Sequence, residues 1–218
     1  MPQSRFRFSR VVPLLATAAI IACGVFPSVA SAQTLFTDDC EGDTGGLGKT
    51  SLTNWTVTNS ASGGSVDIIG VGTGFDFYGG THGHYIDLDG DTSAAGVLTT
   101  KSLFALTAGD YTLNFDLGKN GSALESMTVS VGSVFSQVIS DENNYPAFVA
   151  KSFSFTVAFG TTGAITFNQA GTDKQGYIID NVSLVRQRVA TTAPEPGSLS
   201  LLAMLPVSFG LLRLRRRK

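Results

Sequence analysis

Cysteine is nearly absent: 218 residues hold only Cys23 and Cys40. If the N-terminal segment carrying Cys23 is removed, no internal disulfide is possible and the fold must hold by packing alone. Cys40 is expected to be a small buried side chain, because Asp38, Asp39, Glu41 and Asp43 around it oppose a reactive thiolate. Histidine is equally scarce. His82 and His84 are the only two, and nothing near them completes a zinc ligand set, so a mobile loop is expected there. No Ser–His–Asp order with supporting context emerges, and no Gly-x-Ser-x-Gly elbow occurs. Helical periodicity is missing between residues 33 and 186, which excludes bundles and α/β architectures.

Charge is sparse too, at 15% of residues, and its distribution matters more than its sum of −2. Eight of the fifteen basic residues lie in the two terminal segments, whereas all seventeen acidic residues fall between Gln33 and Pro196. That central region holds seven basic against seventeen acidic residues, a net charge of −10. An acidic domain of this kind excludes nucleic acid and anionic lipid as partners and leaves room for divalent cations.

The N-terminus reads as an export signal. Arg5, Arg7 and Arg10 form a basic region, Val11 to Ile21 an apolar core, and Ala30-Ser31-Ala32 a small-residue cleavage site before Gln33. Signal peptidase is thus an expected processing partner for residues 1–32. Ile20-Ile21-Ala22-Cys23 also fits a lipobox, so lipidation at Cys23 is the alternative; the apolar Gly24, Val25 and Phe26 that follow disfavour it.

At the other end, Pro194-Glu195-Pro196 leads into an apolar run from Leu199 to Leu212, closed by Arg213, Arg215, Arg216, Arg217 and Lys218. Eighteen residues from Gly197 to Leu214 make about 27 Å of helix, barely enough for a hydrocarbon core of roughly 30 Å. The basic block holds its end of the helix on the cytoplasmic side. Tripeptide, short helix and basic tail in this order resemble the PEP-CTERM sorting signal of exported bacterial proteins. The resemblance implies recognition of Pro194, Glu195 and Pro196 by an exosortase, transient anchoring in the inner membrane, and delivery to the cell surface or extracellular matrix. The expected organisation is a signal peptide over 1–32, a domain over 33–186, a linker over 187–193 and the sorting signal over 194–218.

Alternation with a period of two runs through the domain. Tyr111, Leu113, Phe115 and Leu117 share one face; Phe153, Phe155, Val157 and Phe159 share another; Met127, Val129 and Val131, and Ile165 with Phe167, do the same. This is the pattern of half-buried antiparallel strands. Turn signals separate them, among them Gly63-Gly64, Gly79-Gly80, Asp89-Gly90 and Asn120-Gly121. Roughly nine strands without helices predict an all-β, antiparallel two-sheet β-sandwich of jelly-roll type. Trp55 is expected in its core.

Asn54–Val57, Ser65–Gly70, Tyr85–Gly90 and Gly176–Leu184, in this order, resemble PEP-CTERM surface proteins and related extracellular modules with a galactose-binding-like jelly roll. That resemblance implies a structural calcium pinning the N-terminal segment to the last strand, with Asp39, Glu41, Asp43 and Asp180 as ligands; no cofactor is otherwise required. The resemblance bears on the fold more than on activity; the leading expectation for function is binding of extracellular polysaccharide without catalysis. A secreted polysaccharide-active enzyme and a purely structural matrix protein are the alternatives.

Other motifs divide into rejected and open. Asp87-Leu88-Asp89-Gly90-Asp91 fails as an EF-hand, since Thr92 and Leu98 occupy its glycine and glutamate positions. Gly48-Lys49-Thr50 fails as a phosphate loop, since Asp43 stands where its first glycine belongs. Asp87 and Asp89 are expected on a wet strand face, with Ile86 and Leu88 inward; the alternative is a shallow polar site lined by both. Phe75 and Phe77 are expected to plug one end of the core. The open alternative is a sugar site, with Asp76, Tyr78 and Asp87 bonding hydroxyls beside this aromatic loop.

Overall fold

A computed structural model describes residues 31–188, except 60–62, 81, 93, 123, 142–144 and 172. The expected signal peptide through residue 30, most of the expected linker and the whole expected sorting signal, including Pro194, Glu195, Pro196, Arg213, Arg215, Arg216, Arg217 and Lys218, lie outside the described residues. Among the described residues, no helix is long and apolar enough to cross a membrane.

The expected antiparallel two-sheet sandwich is the observed architecture. One sheet contains β1 (Gln33–Asp38), β2 (Gly46–Lys49), β4 (Val66–Gly70), β5 (His84–Asp87), β8 (Gly109–Asn120), β11 (Val149–Val157) and β14 (Gly176–Gln187). Its order is β11-β8-β14-β5-β4-β2, with β1 also paired to β14. The second sheet runs β10-β9-β13-β6-β3, from β3 (Trp55–Asn59), β6 (Gly96–Thr100), β9 (Glu125–Val131), β10 (Phe135–Asp141) and β13 (Ile165–Ala170). A short pair, β7 (Phe104–Leu106) and β12 (Thr161–Gly163), completes the set. The chain passes repeatedly from one sheet to the other, so each sheet is assembled from residues distant in sequence.

The alternating residues explain the core. Tyr111, Leu113, Phe115 and Leu117 from β8 are buried, as are Met127, Val129 and Val131 from β9 and Ile165 and Phe167 from β13. Trp55 joins them, its ring 5.8 Å from that of Phe167, and its indole Nε1 donates to Asp38. Cys40 is buried and free, as expected, with burial first and the charge of Asp38 second pushing its thiol pKa up. The β11 pattern overruns its prediction. Phe153 and Phe155 are half-buried against Phe135 at the sheet edges. Phe159 is 85% exposed, because the strand ends at Val157 and nothing holds the alternation beyond it.

Two departures from simple alternation shape the larger sheet. Strand β14 changes partner along one edge: Ile178 and Ile179 pair with β5, and Val182 to Arg186 pair with β1. At the handover its ladder with β8 shifts register between Asp180 and Ser183, and Asn181 takes a left-handed backbone, φ 50°. The bulge lets Ile179 and Val182 both face the core although they are three residues apart. Strand β4 is buried on both faces. Val66 and Ile68 enter the main core, while Ile69 belongs to a second, outer cluster with Tyr85 and Ile178, packed by Tyr78 and Phe148. A strand covered on both sides loses clean alternation, as the run Val66-Asp67-Ile68-Ile69 does.

Candidate functional site

The cover over the outer face is the loop from Val71 to Gly83, and its own sequence rigidifies it. Thr73 Oγ1 donates to the carbonyl oxygens of Gly70 and Phe75, both at 2.9 Å. Asp76 Oδ1 accepts the backbone amides of Tyr78 (3.2 Å) and Gly79 (2.8 Å), a local Asx-type turn. The same oxygen accepts the Tyr85 hydroxyl at 2.9 Å, and that hydroxyl accepts the Phe77 amide at 2.6 Å. The Tyr85 hydroxyl is the main reason the Asp76 carboxyl lies below its usual range. Tyr78 reaches across to β8, where its hydroxyl accepts the Lys119 amide at 2.6 Å and lies 3.2 Å from the Lys119 carbonyl. A side chain at Gly118 would collide with that hydroxyl. The Tyr78 ring packs 4.3 Å from Phe148 and 5.7 Å from Tyr85.

Pinned in this way, the loop projects Phe75 and Phe77 at 50% and 46% exposure, which corrects their expected role as core plugs. They wall a cavity of about 180 Å³ with Leu47 and Ile69, smaller than the roughly 300 Å³ of a drug-sized pocket. Facing them are Asp67, Asp87, Asp89, Asp91, Asn120 and Lys174. Asp67 and Asp87 are directly opposed in the β4–β5 ladder. Asp67 Oδ1 accepts the amides of Gly48 (2.7 Å) and Asp91 (3.1 Å). Asp87 accepts the Asp89 amide at 3.2 Å and the Asn120 side-chain amide at 3.3 Å. Lys174 Nζ, the cation of the rim, is 3.0 Å from Asp91.

Asp87 and Asp89 are not on a wet face, as expected from alternation; they are 4% and 1% exposed. The inward placing of Ile86 and Leu88 holds, but loops cover the other side. Burial first, then the charges of Asp67 and Asp89, push the Asp87 carboxyl up to about 8 against the help of Asn120 and the Asp89 amide. Burial and the neighbouring Asp173 push Asp89 up to about 6. The amides of Asp173 and Lys174 lean toward Asp89 and lower its pKa, yet neither meets hydrogen-bond geometry, and among the described residues both carboxyl oxygens are left without a partner. Asp67 is also raised, mainly by burial.

Of the acidic residues expected to hold calcium, Asp180 lies elsewhere on the same sheet, in β14, and Asp39, Glu41 and Asp43 follow the end of β1. Asp180 is buried at the β14 bulge, accepting the Asn181 amide at 2.7 Å. Burial first, then the charges of Asp116, Glu41 and Asp39, raise it to about 7. Glu41 accepts the His84 amide at 2.7 Å, Asp39 accepts the Glu41 amide at 3.2 Å, and Asp43 accepts the Thr53 amide at 2.7 Å and its hydroxyl at 2.9 Å. Among the described residues no three acidic, histidine or cysteine side chains form a metal-holding group. As they stand, these donors do not make the six-to-eight-oxygen shell that calcium takes. The two histidines are separated as well: the His82 ring packs 4.8 Å from Phe148, and His84 lies beside Glu41.

Of the residues expected to bind sugar, Asp87 lines the cavity, whereas Asp76 and Tyr78 hold the loop that builds it. Asp89 lines it too, as the alternative to a wet face had it, whereas Asp67, Asn120 and Lys174 were not foreseen as lining residues. One signal was available: Asp67 is a lone acid inside the apolar run Val66–Ile69.

No family model matches the sequence, and no curated protein matches it. Solved structures show distant likeness. The CBM22-1–GH10 modules of Clostridium thermocellum endo-1,4-β-D-xylanase 10B, complexed with xylohexaose, share 13% identity at a TM-score of 0.48 over 74% of this chain and 30% of that one. The K3 cleaved adhesin domain of Lys-gingipain from Porphyromonas gingivalis shares 16% at 0.48, over 71% of this chain and 99% of that one. TmCBM61 in complex with β-1,4-galactotriose shares 13% at 0.44, over 62% and 90%. None of these likenesses assigns a ligand to the cavity.

Proposed function

We propose that this chain is an exported cell-surface or extracellular-matrix protein whose sandwich binds carbohydrate without catalysis. The observation that carries the binding is the pairing of half-exposed Phe75 and Phe77 with hydrogen-bonding Asp67, Asp87 and Asn120 across one small cavity. A sugar ring has an apolar C–H face and a rim of hydroxyls, and it needs both kinds of wall. The loop is held by its own hydrogen bonds, so little ordering cost falls on the ligand. Export rests on the sequence: a signal peptide before Gln33, and a Pro194-Glu195-Pro196 tail resembling an exosortase substrate. Purified full-length protein on an array of neutral and charged glycans tests the binding; retention that survives in Phe75→Ala/Phe77→Ala protein removes this cavity from it. Mass spectrometry of both ends of surface-extracted protein tests the export, and an intact Lys218 there overturns the sorting.

A structural calcium at Asp180 belongs to the same proposal, and there Asp43 would have to leave Thr53. Calcium added back to EDTA-treated protein is expected to raise Tm; an unchanged Tm removes the ion. The second reading is a polysaccharide-active enzyme. It draws on Asp87 and Asp89 titrating apart, at about 8 and about 6, as an acid and a base can. The binding reading is favoured because both Asp87 oxygens are engaged by protein donors. New reducing ends from a polysaccharide panel would reverse that preference.

A further inference from the structure

Resting on the carbohydrate reading of this cavity, we infer that its preferred ligand is a sugar carrying a free ammonium group, a deacetylated amino sugar. The cavity holds four carboxyl groups, Asp67, Asp87, Asp89 and Asp91, against one ammonium, Lys174, which Asp91 already pairs at 3.0 Å. Asp173 adds negative charge that raises Asp89 and, with Asp89, raises Glu125, where the Lys119 ammonium works against them. Asp89 supplies the independent observation. It is 1% exposed, it lines the cavity, and both its oxygens lack a partner among the described residues. A buried carboxylate with no aligned donor is costly even where amides lean toward it, as those of Asp173 and Lys174 do, and the usual remedy is a paired cation. No side chain lining the cavity provides one.

A ligand ammonium in the cavity would. Its field would stabilise the ionised forms of Asp67, Asp87 and Asp89, which burial now opposes. Partial desolvation makes each such pairing stronger than it is in water. Phe75 and Phe77 suit the same ligand twice, stacking on the C–H face of the ring and offering aromatic faces to the cation. A uronate or sulfated sugar would meet like charge on the opposite wall. An N-acetylated sugar would bring a neutral amide and leave the Asp89 deficit in place.

The test is titration calorimetry of purified full-length protein at about pH 6.5, near the raised Asp89 value, with three hexasaccharides: β-1,4-glucosamine, its N-acetylated counterpart, and cellohexaose. The glucosamine form is expected to bind at least tenfold more tightly than either other. In about 0.5 M salt that advantage should shrink several-fold, since screening weakens ammonium–carboxylate attraction. Asp89→Asn, which keeps the shape and removes the charge, is expected to abolish the preference; should that variant fail to fold, the salt series decides alone. Equal or tighter binding of the acetylated or neutral hexamer overturns the ammonium inference and leaves carbohydrate binding standing. A preference untouched by salt also overturns it. Binding of none of the three overturns both readings.

Discussion

Two acidic regions border one sheet, and they differ in how fully the protein's own donors answer their carboxyl groups. Around Cys40, the sequence is densest in acid, yet each side chain answers a donor of the protein itself. Asp38 takes the Trp55 indole and the Cys40 amide, Glu41 the His84 amide, Asp43 the Thr53 amide and hydroxyl, and Asp180 the Asn181 amide. Across Asp67, Asp87 and Asp89 the acids come from separate parts of the chain, sit beside exposed phenylalanines, and include one that accepts no hydrogen bond from the described residues. Local density of acid therefore does not tell the regions apart, since Asp87, Asp89 and Asp91 fall within five residues of one another. What separates the regions is where the donors are, and donors are placed by the fold.

The sharpest difference should appear in pH. Asp87 and Asp89 are raised to about 8 and about 6 in the folded protein from an ordinary value of 3.8. Between those limits the native state holds protons that the unfolded chain has released, so stability is fullest below about pH 4 and falls as pH rises to about 8. Each pH unit separating a folded from an unfolded pKa is worth about 1.4 kcal/mol, so the loss is on the order of 3 kcal/mol or more. Urea unfolding between about pH 4 and pH 9 reads it, and Asp87→Asn should flatten the slope by removing the group that must ionise. Asp180, raised to about 7 in the other region, contributes a slope of its own, so the cavity's share is the part that Asp87→Asn removes; a slope unchanged in that variant would mean that the cavity acids are hydrated.

Breaking the other region should cost somewhat less, and at all pH values. Asp38→Ala strands the Trp55 indole and the Cys40 amide in the core, a penalty of about 1–3 kcal/mol, visible as a lower denaturation midpoint in mildly acidic and mildly alkaline buffer alike. Phe77→Ala should reverse the pattern. Glycan affinity is expected to drop roughly tenfold, which is about 1.4 kcal/mol, with the midpoint nearly unmoved because the ring is half in solvent. Lys174→Met is the weakest probe: its pair with Asp91 is 57% exposed on both sides, so stability should shift by less than about 0.5 kcal/mol.

Much of this architecture was legible beforehand because β-alternation is a local signal. Tyr111 to Leu117 and Met127 to Val131 face the core as their period of two requires. The cavity was half legible. Asp87 and the aromatic loop were in view, but the roles within the loop were exchanged: Tyr78 and Asp76 are its fasteners and Phe75 and Phe77 its surface. Alternation also misplaced Asp87 and Asp89, because it says which way a side chain points and not whether a loop from another part of the chain lies over it.

Composition and period alone determined an acidic, antiparallel sandwich. That much follows from nearest neighbours along the chain and from simple counting. Only the tertiary structure decided which carboxyl groups would have partners. Asp67 meets Asp87 across a ladder, the 71–83 loop folds back over β4 and β5, and Asp89 is enclosed beside Lys174 and Asp173. Hydrogen bonds and burial between distant segments have no image in the order of residues, so the chemistry of the cavity waits on the fold.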